Sequence, residues 1–143
     1  MIEVCAVMGI IGVFLALAVP HVNNGAFVLN MADQQLLADL RGTRMDALTK
    51  GDHFRFRVTA ASTYVEERMQ LGGGGWSAIS PALKSRTLPS GVTFISGVGT
   101  TLEFNTRGLL VIPQAAANLK IKDAHTGIGR EITVWPSGQV AQL

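Results

Sequence analysis

The sequence predicts an α+β protein: a long N-terminal helix, apolar in its first half and amphipathic in its second, packed on an antiparallel β-sheet head. Three observations point there. Residues 2–19 carry one charged side chain, Glu3. Leucines recur at helical spacing between residues 32 and 50. From residue 53 onward, short β-branched and aromatic segments alternate with turn formers. At ~1.5 Å per residue the apolar run makes a helix of roughly 27 Å, close to the hydrocarbon thickness of a bilayer.

The chain has 143 residues, enough beyond that run for one modest head with one core. The expected division is a hydrophobic transmembrane helix with a flexible exit over 1–25 and a globular head over 26–143. Within the head, an amphipathic helix is expected at about 31–50 and a β-rich part over 53–143. Twelve Lys plus Arg stand against ten Asp plus Glu, and so small a basic excess does not point to nucleic acid. Cys5, the only cysteine, can form no intrachain disulfide.

The apolar run has competing explanations. A cleaved signal peptide needs a positive start; Ala16-Leu17-Ala18 supplies a small-x-small site, but the only charge near the start is negative. A buried core helix apolar on every face is too large for this head. A membrane anchor fits best. Glu3 is costly at depth, ~2.5 to 3.5 kcal/mol at a helix centre, so it sits at the interface or has a partner. Gly9 and Gly12 let another helix approach closely. Pro20 removes a helix hydrogen bond, and Asn23, Asn24 and Gly25 add poor helix formers, so residues 20–25 should bend or unwind easily.

In the second helical section Leu36, Leu37, Leu40, Ala47 and Leu48 form an apolar face, with Asp33, Gln34, Asp39, Arg41 and Asp46 among them. Gly51 is a good stop, with Lys50 in the last turn. Arg44 interrupts the face and reads as a long side chain laid along the surface. Residues 53–58 alternate strictly, placing Phe54, Phe56 and Val58 inward and His53, Arg55 and Arg57 outward. Residues 63–68 are the expected hairpin partner, with Glu66 and Glu67 on opposite sides and able to neutralise some of that charge. The glycines of 72–75 read as a loop, lacking the setting of a phosphate-binding turn. Further strands are expected at Val92–Ser96, Thr101–Phe104, 109–112, 119–122, 131–135 and 139–142, separated by turns at Gly97, Gly99, Gly108, Gly127 and Gly138.

Catalytic and metal-binding signatures are missing from this pattern. His21, His53 and His125 are isolated, and no paired carboxylates or Ser-His-Asp grouping stands out. No enzyme activity and no cofactor are expected. A basic patch of Arg55, Arg57, Lys120 and Lys122 could meet phosphates, but a solvated strand face explains it more simply.

The order Ile2-Glu3-Val4, the run through Gly9-Ile10-Ile11-Gly12, and Ala16-Leu17-Ala18-Val19-Pro20 resemble the N-terminus of mature type IV pilins and type II secretion pseudopilins. Residues Phe104-Asn105-Thr106-Arg107-Gly108 and the ending from Arg130 to Gly138 are most similar to the H-type minor pseudopilin and FimT group. The resemblance implies a filament subunit anchored by one pass in the bacterial inner membrane, its head in the periplasm, processed and methylated by a prepilin peptidase. Glu3 would correspond to the family's N-terminal acid, and the chain as given would begin two residues into the mature helix. The implied partners are other pilins or pseudopilins, with Glu3, Gly9 and Gly12 in subunit contacts. The implied role is pseudopilus assembly for protein secretion; the alternatives are a FimT-like minor pilin in DNA uptake and a major subunit of another pilus. DNA is not the expected partner, because Gly138-Gln139-Val140-Ala141 lacks the arginines of the DNA-binding motif.

Overall fold

The computed structural model describes residues 24–69, 75–78 and 85–143. Helix α1 spans Asn24–Lys50. Asn24 and Gly25, expected in the flexible exit, are helical, and the helix is already formed ahead of residue 31. It ends where expected: Gly51 takes φ of 66° and donates its N–H to the Ala47 carbonyl at 3.1 Å, closing the last turn. Leu29, Ala32, Leu36, Leu37, Leu40 and Ala47 are buried on one face.

Two sequence expectations on α1 are corrected. Leu48 is exposed, because it lies beside the Gly108 turn at the edge of the interface instead of under a sheet. Asp33, expected among the polar positions, is buried; it sits four residues after Leu29 and three before Leu36, on the core face.

Among the described residues the head has ten strands: β1 (Phe54–Ala60), β2 (Thr63–Met69), β3 (Trp76–Ala78), β4 (Ser85–Thr87), β5 (Val92–Ser96), β6 (Thr101–Phe104), β7 (Leu110–Ile112), β8 (Ala117–Asp123), β9 (Gly129–Val134) and β10 (Val140–Gln142). A single meandering sheet is the simplest expectation, and the structure has two. The first runs β3-β2-β1-β6-β7, with β4 also on β2; the second runs β10-β9-β8-β5. All pairings are antiparallel. The division arises at β5, which pairs with β8, while β6 returns to β1 across a turn whose Gly97 and Gly99 both have positive φ. The short strands β3 and β4 have no counterpart in the sequence reading, since three residues carry too little alternation to register.

The core lies between α1 and both sheets. Phe54, Phe56 and Val58 of β1, Leu102 and Phe104 of β6, Leu119 and Ile121 of β8, and Ile132 and Val134 of β9 form one buried cluster with the helix leucines. Tyr64 stacks on Phe56 at 4.7 Å between centroids and meets Phe94 edge-on at 6.3 Å, joining aromatic residues from the two sheets. At ~1.5–3 kcal/mol for each large side chain, this layer is what holds the helix on the head.

Candidate functional site

The two sheets leave their edge strands β7 and β10 on the same side of α1, and polar groups close the seam between them. Arg44 donates from Nε to the Gly108 carbonyl at 3.0 Å and from Nη2 to the Ser137 carbonyl at 3.4 Å. Arg41 donates from Nη2 to the Val140 carbonyl at 3.2 Å, and the Leu110 N–H reaches the Pro136 carbonyl at 3.0 Å. Arg44 is therefore more than a side chain lying on the surface. It ties the turn after β6 to the turn after β9, and so brings together Phe104-Asn105-Thr106-Arg107-Gly108 and Pro136-Ser137-Gly138, two segments far apart in sequence. Gly138 has φ of 76°, and a Cβ there would lie 2.0 Å from the Gly108 carbonyl oxygen. No side chain fits between the two turns.

A second close approach occurs at the start of α1. A Cβ on Gly25 would fall 2.6 Å from Asp123 Oδ2 and 2.8 Å from Thr126 Cγ2. Asp123 Oδ2 accepts from the Thr126 hydroxyl at 2.6 Å and its N–H at 2.8 Å. Those bonds, the hydroxyl's first, hold the Asp123 carboxyl below its usual range. Gly25 thus lets the helix pass against the β8–β9 turn.

The outer face of the first sheet carries the basic row. Arg55 and Arg57 both donate to Glu67, from Arg55 Nε to Oε2 and from Arg57 Nη2 to Oε1 at 2.9 Å. The Arg55 guanidinium also lies 4.3 Å from the Trp76 ring centroid. Burial alone would raise the Glu67 carboxyl, but the two arginines outweigh it and lower its pKa. Glu66 points the other way, toward the helix, and accepts from the Thr43 hydroxyl at 3.1 Å. Nearby, Tyr64 donates to Asp39 at 2.7 Å, and Arg86 of β4 pairs with the same carboxylate; burial and then the Asp39 bond push the Tyr64 hydroxyl well above its ordinary pKa.

The four residues of the proposed basic patch are not assembled on one sheet. Arg55 and Arg57 belong to β1 in the first, Lys120 and Lys122 to β8 in the second, and Lys120 is paired with Glu131 at 2.8 Å. Glu3, Gly9, Gly12, Pro20 and Asn23 lie outside the described residues. Among the described residues no helix is long and apolar enough to cross a membrane, and no cluster of His, Cys, Asp and Glu could hold a metal ion.

This arrangement of one helix on two antiparallel sheets is shared with solved structures. The type IV minor pilin FimU of Pseudomonas aeruginosa matches with a TM-score of 0.62 at 19% identity, over 80% of this chain and 87% of that one. The minor pseudopilin EpsH of the Vibrio cholerae type 2 secretion system matches at 0.63 and 16% identity, over 80% and 95%. The chain has the minor-pilin fold. No protein-family model and no curated protein sequence matches it. In this pilin-like head the Arg44-closed seam and the Gly25–Asp123 contact are two of the places where the helix meets the sheets outside the apolar core. Sequence reasoning missed both, and the signal available for each was a glycine in a turn or helix end that spacing alone could not pair with its distant neighbour.

Proposed function

We propose that the chain is a structural subunit of a pilin-type filament, in the manner of an H-type minor pseudopilin of a type II secretion system, and that it is not an enzyme. The observation that carries this reading is the pilin-like head itself, preceded in sequence by an apolar run whose single charge is Glu3. The run would hold the subunit in the bacterial inner membrane with the head in the periplasm, after a prepilin peptidase has processed the precursor. On assembly the same run would leave lipid and pack on neighbouring helices, Gly9 and Gly12 allowing close approach. A carboxylate entering that apolar core needs a partner, and Glu3 would take the N-terminal amine of an adjacent subunit. Pro20 and Asn23 would permit local unwinding during the transfer, while Gly25 would serve the contact with Asp123.

The test is incorporation of Glu3→Ala into filaments, followed by secretion or pilus assays in the source cell. Loss of incorporation with an intact, folded head is the expected result. Unchanged incorporation would reject the pairing role of Glu3.

A further inference from the structure

Beyond its core face, α1 has a second periodic face. Its exposed positions include Phe27, Met31, Gln34, Ala38, Arg41, Met45 and Leu48, spaced alternately by four and three residues. That 3.5-residue repeat is the a/d pattern of a helix–helix seam. Large apolar side chains stand in water along it: Phe27 is 64% exposed, Met31 55%, Met45 58% and Leu48 43%. The seam spans about 32 Å at ~1.5 Å per residue. Toward its C-terminal end it opens into a cavity of about 400 Å³ lined by Arg41, Gly42, Arg44, Met45 and Leu48. A Cβ on Gly42 would meet nothing within 4 Å, so the cavity floor is open to an incoming side chain.

Charge selects the occupant. Arg41 occupies a seam position and spends one donor on the Val140 carbonyl; among the described residues no carboxylate pairs with it. Asp46, near the cavity, is engaged with Lys50 at 3.0 Å. A parallel, in-register second copy would set Arg41 against Arg41, and a copy displaced by one heptad would set one Arg41 against Leu48 and the other against Gln34. Either arrangement buries a guanidinium without a counter-charge. We infer that this face of α1 docks a helix of a different subunit, one with an apolar a/d seam and a single Asp or Glu placed opposite Arg41. The carboxylate takes the remaining Arg41 donors and fixes the axial register, as one polar seam residue does in coiled coils. The inference names the kind of partner for the filament role above and rests on that reading.

The experiment uses the full chain in detergent micelles and two labelled four-heptad peptides, with leucine at seam positions and either Glu or Lys at the central one, followed by fluorescence anisotropy. The Glu peptide should bind at least about tenfold more tightly than the Lys peptide. Arg41→Glu should reverse that order, Arg41→Gln should remove it, and Met45→Asp should abolish binding of both. All three substitutions lie on the exposed face; Arg41 variants lose the bond to the Val140 carbonyl, so a single cooperative thermal transition, well above the assay temperature, checks that the fold persists. Equal binding of the two peptides, no binding, or a preference insensitive to Arg41→Gln would overturn the inference. Displacement of the Glu peptide by duplex DNA would assign the face to nucleic acid instead, and self-association abolished by Met45→Asp would assign it to a second copy; either would overturn it too. Failed incorporation of the unsubstituted chain in cells, with the peptide preference intact, removes the filament reading and leaves the seam. Normal incorporation with charge-blind binding removes the seam alone.

Discussion

Arg44 donates from Nε to the Gly108 carbonyl at 3.0 Å, and through this bond a helix residue holds two β-turns that the sequence separates by about thirty positions. The fork geometry matters, because Nε and Nη2 point at carbonyls in different turns, which a lysine ammonium cannot reproduce. Arg44→Lys should therefore destabilise the head by about 1–2 kcal/mol despite keeping the charge. Chemical denaturation of the two proteins measures it, and equal midpoints would show that the arginine contributes packing alone.

Gly138 and Gly99 separate backbone strain from collision. Both have positive φ, 76° and 82°, but a Cβ at Gly138 meets the Gly108 oxygen at 2.0 Å and Arg44 Nε at 2.7 Å, whereas one at Gly99 meets nothing within 4 Å. Gly99→Ala should cost about 1–2 kcal/mol, the penalty of a left-handed conformation. Gly138→Ala adds the forced separation of the two turns and should exceed it by at least ~2 kcal/mol. Thermal unfolding of the pair provides the comparison.

The two helix glycines should respond in opposite directions. At Gly42 the added methyl enters open space, so Gly42→Ala should stabilise by ~0.5–1 kcal/mol through lower unfolded-state entropy and better helix propensity. At Gly25 the same methyl meets an Asp123 oxygen that two bonds from Thr126 hold in place. Gly25→Ala should lose the gain and destabilise. If it stabilised the head as much as Gly42→Ala, Gly25 would be a mere weak point in the helix and the contact would carry no energy.

These contrasts mark what was legible in the sequence. The alternation of Phe54, Phe56 and Val58 and the stop at Gly51 are local patterns, and they fold as read. The second sheet was not legible, because the pairing of β5 with β8 is a choice between antiparallel partners of similar composition. Arg44 was underread for a related reason: its partners are backbone carbonyls, which every residue carries and no sequence motif reports. Burial of Asp33 ran against its residue type, and only its position between Leu29 and Leu36 hinted at it. The exposed repeat through Phe27, Met31 and Met45 was masked by Gln34 and Arg41, which read as ordinary solvent-facing residues.

Buried carboxylates of opposite behaviour give the head a distinctive pH dependence. Glu67 has a folded pKa below its ordinary 4.5, lowered by Arg55 and Arg57 against the effect of burial. The unfolded chain therefore binds its proton first on acidification, and the stability this group contributes, complete above pH 4.5, is lost as pH falls through its folded value. Asp33 behaves oppositely: burial raises its pKa above 3.8, with Arg130 only partly offsetting it. The folded state then favours the proton, and stability contributed below pH 3.8 is lost as pH rises through the folded value. Asp33→Asn should accordingly raise the melting temperature at pH 7 and leave it nearly unchanged at pH 3. Glu67→Gln should lower it at pH 7, because two arginines lose their charge partner, and should flatten the fall below pH 4.5. Melting temperatures across this range for the three proteins decide the matter; an Asp33→Asn gain that persists undiminished at pH 3 would mean that packing, not ionisation, sets the cost of that buried carboxyl.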